Sequence, residues 1–170
     1  MKTFLFTDLE FSGLDINNNR PLEIAIIAAD SGLSVIKTFH KVFFWESIVF
    51  NDWSEKAHSA SGLINELEFG EDADNIDADI CSFLRSFEGD LILAGQSVHV
   101  DRAWINAYLP RFGSKLNHRM LDLSTLDMIL EDIGYAANLR PRSHRAEDDA
   151  RAALNSARHY RKSIKYDSSL

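Results

Sequence analysis

The chain has 170 residues, a formal net charge of −8 and a single cysteine, Cys81. That length suits one domain with a sizeable buried core, and one cysteine excludes an intrachain disulfide framework. The excess of 26 acidic over 18 basic residues argues against tracking a long nucleic-acid backbone, which needs many phosphate-neutralising Lys and Arg; a short anionic ligand, or one held through bound cations, stays open.

In chain order, Lys2 to Asp8 has the β-branched and aromatic content of a strand. Pro21 to Asp30 (PLEIAIIAAD) is a continuous apolar run bounded by a proline and the Ser31-Gly32 turn, and Leu33 to Phe44 alternates. Joined by SGLDINNNR and DSGL, these three read as an antiparallel meander. Asp52 to Ala60 and Ala73 to Phe87 read as helices, the second with Ile76, Ile80, Phe83, Leu84 and Phe87 at helical spacing. Leu91 to Ala94 is a short buried strand, and Asp101 to Leu109 a helix stopped at Pro110. Met120 to Leu123 reads as a short strand, and Ser124 to Ile133 as a helix capped at Ser124 or its neighbour. His144 to Lys162 carries a long helix rich in Ala and Arg. Three strands followed by alternating strands and helices predict an α/β domain with a mixed sheet. No apolar run approaches the ~20 residues of a membrane helix. The N-terminus is apolar for only about six residues before Asp8, short for a secretory leader, so no membrane association and a cytosolic location are expected.

Three stretches carry chemistry. In FTDLEFSGLD, Asp8 and Glu10 are two residues apart on a strand and share a face. Like charges so placed repel unless one is protonated or a cation lies between them, and an all-oxygen site suits Mg²⁺ or Mn²⁺. A solvent-facing strand end is the plain alternative. In AGQSVHVDRAW, Asp101 opens a helix after a buried strand, where it also complements the helix dipole. In SHRAEDDARAAL, His144 precedes a helix carrying Glu147, Asp148 and Asp149. Five residues of helix rotate about 500°, so His144 and Asp149 are not stacked on one helix face; His144 belongs in the loop before the helix. The apolar positions Ala146, Ala150, Ala153, Leu154 and Ala157 put Asp149 beside the core-facing stripe and Asp148 further out. Four acids from separate elements plus a loop histidine have the chemistry of a two-metal phosphodiesterase, in which a histidine takes the proton from the attacking water.

The order D-x-E, then D, then H-x4-D resembles the DEDDh exonucleases, and the blocks DLEFSGLD, NDWSEKAHSASGL, GQSVHVDRAWINAYLP, HRMLDLSTL and HRAEDDARAAL resemble those of the oligoribonuclease family from about Thr7 to Tyr160. The resemblance implies a ribonuclease H-like exonuclease fold, one domain over residues 1–170 with a central mixed five-stranded sheet flanked by helices. It implies Asp8, Glu10, Asp101 and Asp149 as ligands of two divalent cations, Mg²⁺ or Mn²⁺, and His144 as general base. It also implies a cap on the substrate: Leu14 as an apolar wedge, Trp53 near the bases, and His58, Ser97, Arg119, Ser124 and Thr125 around the 5′ phosphate. A cap of this kind limits the substrate to short single-stranded RNA, with dinucleotides favoured. For Leu14 and Trp53 core packing is the plain alternative. Ser124 and Thr125 at a helix start offer hydroxyls and free N–H groups to a phosphate, to which Arg119 adds a charge-assisted bond.

The chain departs from the family at His118, where the family has a tyrosine that the partner subunit of a homodimer contributes, and at Gln96 and Ser12, where Asn and Thr are usual. The stretch GYAANLRPRS before His144 is expected to form a lid, made basic by Arg140, Arg142 and the neighbouring Arg145; those arginines face a phosphate or simply solvent. Three readings compete: an exoribonuclease of short RNA, a broader exonuclease trimming longer RNA or DNA, and a catalytically silent nucleic-acid-binding module.

Overall fold

The computed structural model describes residues 2–131 and 143–163. Five strands form one sheet in the order β3-β2-β1-β4-β5. They are β1 Lys2–Phe11, β2 Pro21–Ala29, β3 Val35–Val42, β4 Asp90–Gly95 and β5 Met120–Asp122. The meander pairs antiparallel, while β4 lies parallel to β1 and β5 parallel to β4. The expected mixed five-stranded sheet is therefore present, with β1 as its central strand.

Strand parity assigns the two faces. Leu5 and Leu9 of β1, with Ile24 and Ile26 of β2, bury against α2 (Ala73–Leu84), α3 (His99–Tyr108) and α4 (Pro110–Lys115). Phe6 of β1, with Ala25, Ile27 and Ala29 of β2, buries against α5 (Leu123–Glu131) and α6 (Ala146–Ser163). Fully burying side chains such as Leu5, Phe6 and Ile26 contributes roughly 1.5–3 kcal/mol each. On α6 the buried apolar positions are Ala146, Ala150, Ala153, Leu154, Ala157 and Tyr160. The four alanines among them let the helix lie close over β1 and β2.

Pro110, expected to end a helix, does so and also starts the next one. It occupies the first turn of α4, where its missing N–H is no loss. The buried Asp77 of α2 accepts hydrogen bonds from the Arg111 and Phe112 N–H groups at 2.9 and 2.8 Å. A 3-10 helix at Leu63–Phe69, which the sequence pattern did not flag, follows α1 (Asp52–Ser61) and closes a small third cluster of Leu22, Leu63 and Leu67. The expected lid lies outside the described residues apart from Ser143, and with it Arg140 and Arg142. Among the described residues no helix is long and apolar enough to cross a membrane.

Candidate active site

The parity that puts Phe6 under α6 carries two residues further to Asp8 and two more to Glu10. Both acids therefore project from the face on which α6 begins, and Asp149 lies in the first turn of that helix. One carboxylate oxygen from each of Asp8, Glu10 and Asp149 can be chosen so that all lie within 4.8 Å of one another. Asp8 and Asp149 are partly buried and Glu10 is buried. Asp148 is exposed, as its helical position predicts.

Asp101 reaches the same place from the opposite layer. The pairing of β1 with β4 runs only as far as Phe6 opposite Ala94. Beyond it β4 runs one residue more, to Gly95, and the buried Asp101 of α3 accepts the hydrogen bond of the Leu9 N–H at 2.9 Å. The acids thus gather at the carboxyl ends of the parallel strands β1 and β4, where α/β sheets commonly place their sites.

These four acids line a cleft of about 410 Å³ together with Leu14, Trp53, Ser97 and His144. His144 precedes α6 with φ of 55°, a left-handed conformation in which a non-glycine residue is uncommon. Its ring meets that of Trp53 edge-on, with centroids 5.2 Å apart and planes at 87°.

The rim is built by a turn that the sequence makes stiff. The Ser12 N–H donates to the Arg20 carbonyl at 2.9 Å, and the Arg20 N–H donates to the Ser12 hydroxyl at 3.0 Å. A side chain at Gly13 would put its Cβ within 2.4 Å of the Asn19 side chain, whose Oδ1 accepts the Asp15 N–H. Leu14 at the tip is 76% exposed. The start of α1 docks on the same turn, since the Asn51 N–H and the Ser54 hydroxyl both donate to the Ser12 carbonyl. Trp53, between them, is 64% exposed. Core packing is thereby ruled out for both Leu14 and Trp53.

The residues expected around a 5′ phosphate divide. Ser97 lines the cleft, with φ of 50° and its N–H donating to Asp122 at 3.0 Å. His58, Arg119, Ser124 and Thr125 are not among the cleft-lining residues. His58 is fully buried on α1; its Nε2 lies 3.0 Å from the Phe11 carbonyl and 3.8 Å from Glu10. Burial pushes its pKa down. In this conformation it backs the acidic strand end instead of facing a phosphate. The Ser124 N–H and hydroxyl, expected to be free, both donate to Asp122. Burial raises the Asp122 pKa, but the donors Ser124, His99 and Ser97 outweigh it and hold the carboxyl low. Arg119 and Thr125 are exposed on either side of β5.

Two residues to which the sequence reading gave no role in the site, Gln96 and Asn51, shape the cleft. Gln96 lines it and donates from Nε2 to Asp127 at 2.8 Å; Asn51 lines it while its side chain caps α1 at the Ser54 N–H. Asn51 just before Asp52 was legible as a helix cap. Arg145, expected to face phosphate or solvent, does neither: it pairs with Glu23 and Glu66.

The profile of the RNase_T family, described as Exonuclease, matches residues 5–156. The chain belongs to this family. With the family comes its hydrolase class, the nucleases. The domain is similar to the mitochondrial oligoribonuclease of Bos taurus, at 28% identity over 94% of this chain and 72% of that protein. It is similar to the oligoribonuclease of Francisella tularensis subsp. tularensis at 26% identity, over 94% of each chain. In fold it matches E. coli exonuclease I in a complex with single-stranded DNA, with a TM-score of 0.72 at 16% identity over 95% of this chain. The exonuclease domain spans 40% of that exonuclease I chain.

Proposed function

We propose that this exonuclease is a metal-dependent 3′-to-5′ exoribonuclease that degrades short oligoribonucleotides, dinucleotides foremost, to mononucleotides. The observation that carries the reading is the meeting of Asp8, Glu10 and Asp149 within 4.8 Å in a cleft whose rim presents Leu14 and Trp53 to solvent.

The donor set fits the implied cations. It is all oxygen, anionic and convergent, which suits Mg²⁺ or Mn²⁺, with Asp101 as the fourth acid. Two such ions, when bound, supply an activated water and charge stabilisation at the departing 3′ oxygen. His144 would accept the proton of the attacking water as its oxygen bonds to phosphorus and the P–O3′ bond breaks. Trp53 backs the His144 ring. Leu14 and Trp53 give apolar surface on which bases of any sequence can pack. Ser97 on the cleft wall is where a 5′ phosphate would be received; Arg119 and Thr125, exposed on either side of β5, are assigned to it by the family likeness alone. A small cleft closed by such groups is consistent with the acidic chain: short substrates need no long basic groove.

The homodimer implied by the family likeness belongs to the same reading. Met128 and Ile129 of α5, 65% and 60% exposed, offer an apolar face to a second copy, and light scattering tests it. We place the activity in the cytosol, in keeping with the lone cysteine, although one of the relatives is named as mitochondrial.

The deciding experiment is degradation of 5′-labelled RNA of two, three, five and ten nucleotides with Mg²⁺ or Mn²⁺ against EDTA, beside a matched DNA series. Fastest loss of dinucleotides, only with metal, supports the reading. Equal trimming of ten-mers or DNA favours a broader exonuclease. No cleavage under any metal leaves a binding module.

A further inference from the structure

Glu23 is out of place by ordinary rules. It stands directly opposite Glu10 in the β1–β2 register, so the two carboxylates share a face, and it is completely buried. Its charge is met from outside the catalytic cluster. Arg145 donates to it from Nε and Nη2 at 3.1 and 2.9 Å, the Ala146 N–H donates at 2.8 Å, and His40 Nε2 lies 2.6 Å away. The other edge of the same guanidinium grips Glu66 of the 3-10 helix at 2.8 and 2.9 Å. Arg145 is thus held by two carboxylates from two elements, a planar bridge that the point charge of a lysine cannot reproduce.

The place of Arg145 in the chain gives the bridge its meaning. It follows His144, whose backbone is left-handed, and precedes Ala146, the first residue of α6. Its own carbonyl accepts the Asp149 N–H at 3.1 Å. A strained residue persists only where its surroundings over-determine it, and the Arg145 bridge supplies that constraint from the next residue.

We propose that Arg145, clamped by Glu23 and Glu66, is a positioning residue that fixes the start of α6 and thereby sets His144 and Asp149 against Asp8 and Glu10. The proposal rests on the exoribonuclease reading for its kinetic consequence, but the ordering of residues 144–149 stands apart from it. A purely structural ion pair would add stability and leave the geometry of the folded site unchanged.

The test uses Arg145→Gln, Arg145→Lys and Glu66→Gln, each measured by steady-state kinetics on short RNA and by amide hydrogen exchange of the metal-free protein. For Arg145→Gln, kcat falls roughly 10- to 100-fold, as expected for reacting groups displaced by about an ångström, with KM little changed. The amides of Ala146 to Asp149 exchange faster while those of β1 and β2 keep their rates. Arg145→Lys falls between, and Glu66→Gln shows the same pattern more weakly. Wild-type kcat and wild-type exchange in Arg145→Gln overturn the proposal, as does a uniform rise in exchange across the sheet with kcat unchanged. Should Arg145→Gln fail to fold, Glu66→Gln, whose carboxylate is partly exposed, carries both readouts, and wild-type values there overturn it. Failure of the wild-type protein to cleave any oligonucleotide overturns the exoribonuclease reading alone, and the exchange comparison still decides the role of Arg145.

Discussion

Trp53 and His144 meet edge to face, 5.2 Å between ring centroids, although they come from the first turn of α1 and the loop before α6. An edge-to-face pair contributes about 0.5–1.5 kcal/mol beyond its buried area, enough to bias where the imidazole points. Trp53 is mostly exposed, so its removal leaves the core untouched. Trp53→Ala is expected to lower kcat/KM on short RNA about tenfold, equivalent to ~1.4 kcal/mol, while Trp53→Phe, which keeps an aromatic ring, retains most of it. Steady-state kinetics check this. Wild-type kcat/KM in Trp53→Ala would make the contact incidental.

The crowding of Asp8, Glu10 and Asp149 predicts a thermal signature that needs no substrate. Without metal, like charges within 4.8 Å oppose folding, so Asp149→Asn is expected to keep or raise Tm. With Mn²⁺ at about a hundredfold excess over its dissociation constant, a ligand of the folded state alone adds about 2.7 kcal/mol. The wild-type Tm therefore rises on adding Mn²⁺ and falls back with EDTA, and Asp149→Asn loses most of that shift along with its activity. Calorimetry with and without metal reads both.

Much of this arrangement is legible in the sequence because it depends on parity and period. D-x-E on a strand fixes a shared face, and the alanines of α6 place Asp149 beside that face and Asp148 outside it. What is not legible depends on partners far along the chain. Glu23 sits inside PLEIAIIAAD and reads as one polar letter in an apolar run; the arrival of His40 from β3 and of Arg145 and the Ala146 N–H, more than 120 residues away, accounts for its burial. His58 and Ser54 are the buried residues of α1, one helical turn apart but both polar, so no apolar stripe marks that face. Ser124 looks like a free helix cap until Asp122, two residues before it, takes its donors. The start of α4 at Pro110 was a missed local signal, since a proline that ends one helix can open another.

Leu14 is expected to act on substrate and not on folding. Its side chain is 76% exposed at the tip of a turn held by Ser12, Asn19 and Arg20, so Leu14→Ala changes stability by less than about 0.5 kcal/mol. A leucine side chain that a base covers is worth up to about 1.5–3 kcal/mol of burial, or roughly 10- to 150-fold in kcat/KM. The loss falls more heavily on dinucleotides than on longer RNA, which has other contacts to draw on. Comparing kcat/KM for two- and ten-nucleotide substrates checks it; an equal loss at both lengths would remove Leu14 from length selection.

Two histidines give opposite slopes to stability against pH. The hydrogen bond to Glu23 raises the His40 pKa above its ordinary 6.5. Its contribution is therefore complete below 6.5 and is lost as pH rises through the raised value. Burial lowers the His58 pKa below 6.5, so the neutral ring contributes fully above 6.5, and that stability is lost as pH falls through the depressed value. Glu23 adds to the acid-side loss. Burial raises its pKa, but hydrogen bonds from His40, Arg145 and the Ala146 N–H outweigh this and hold it below its ordinary 4.5; its share is present above 4.5 and disappears as pH falls through the lowered value. The metal-free Tm is expected to pass through a maximum near mildly acidic to neutral pH. His40→Gln flattens the alkaline limb, and His58→Gln flattens the limb just below 6.5. Tm measured across the pH range in EDTA reads the two limbs separately, and an alkaline decline that survives His40→Gln would show that the Glu23 pair does not control it.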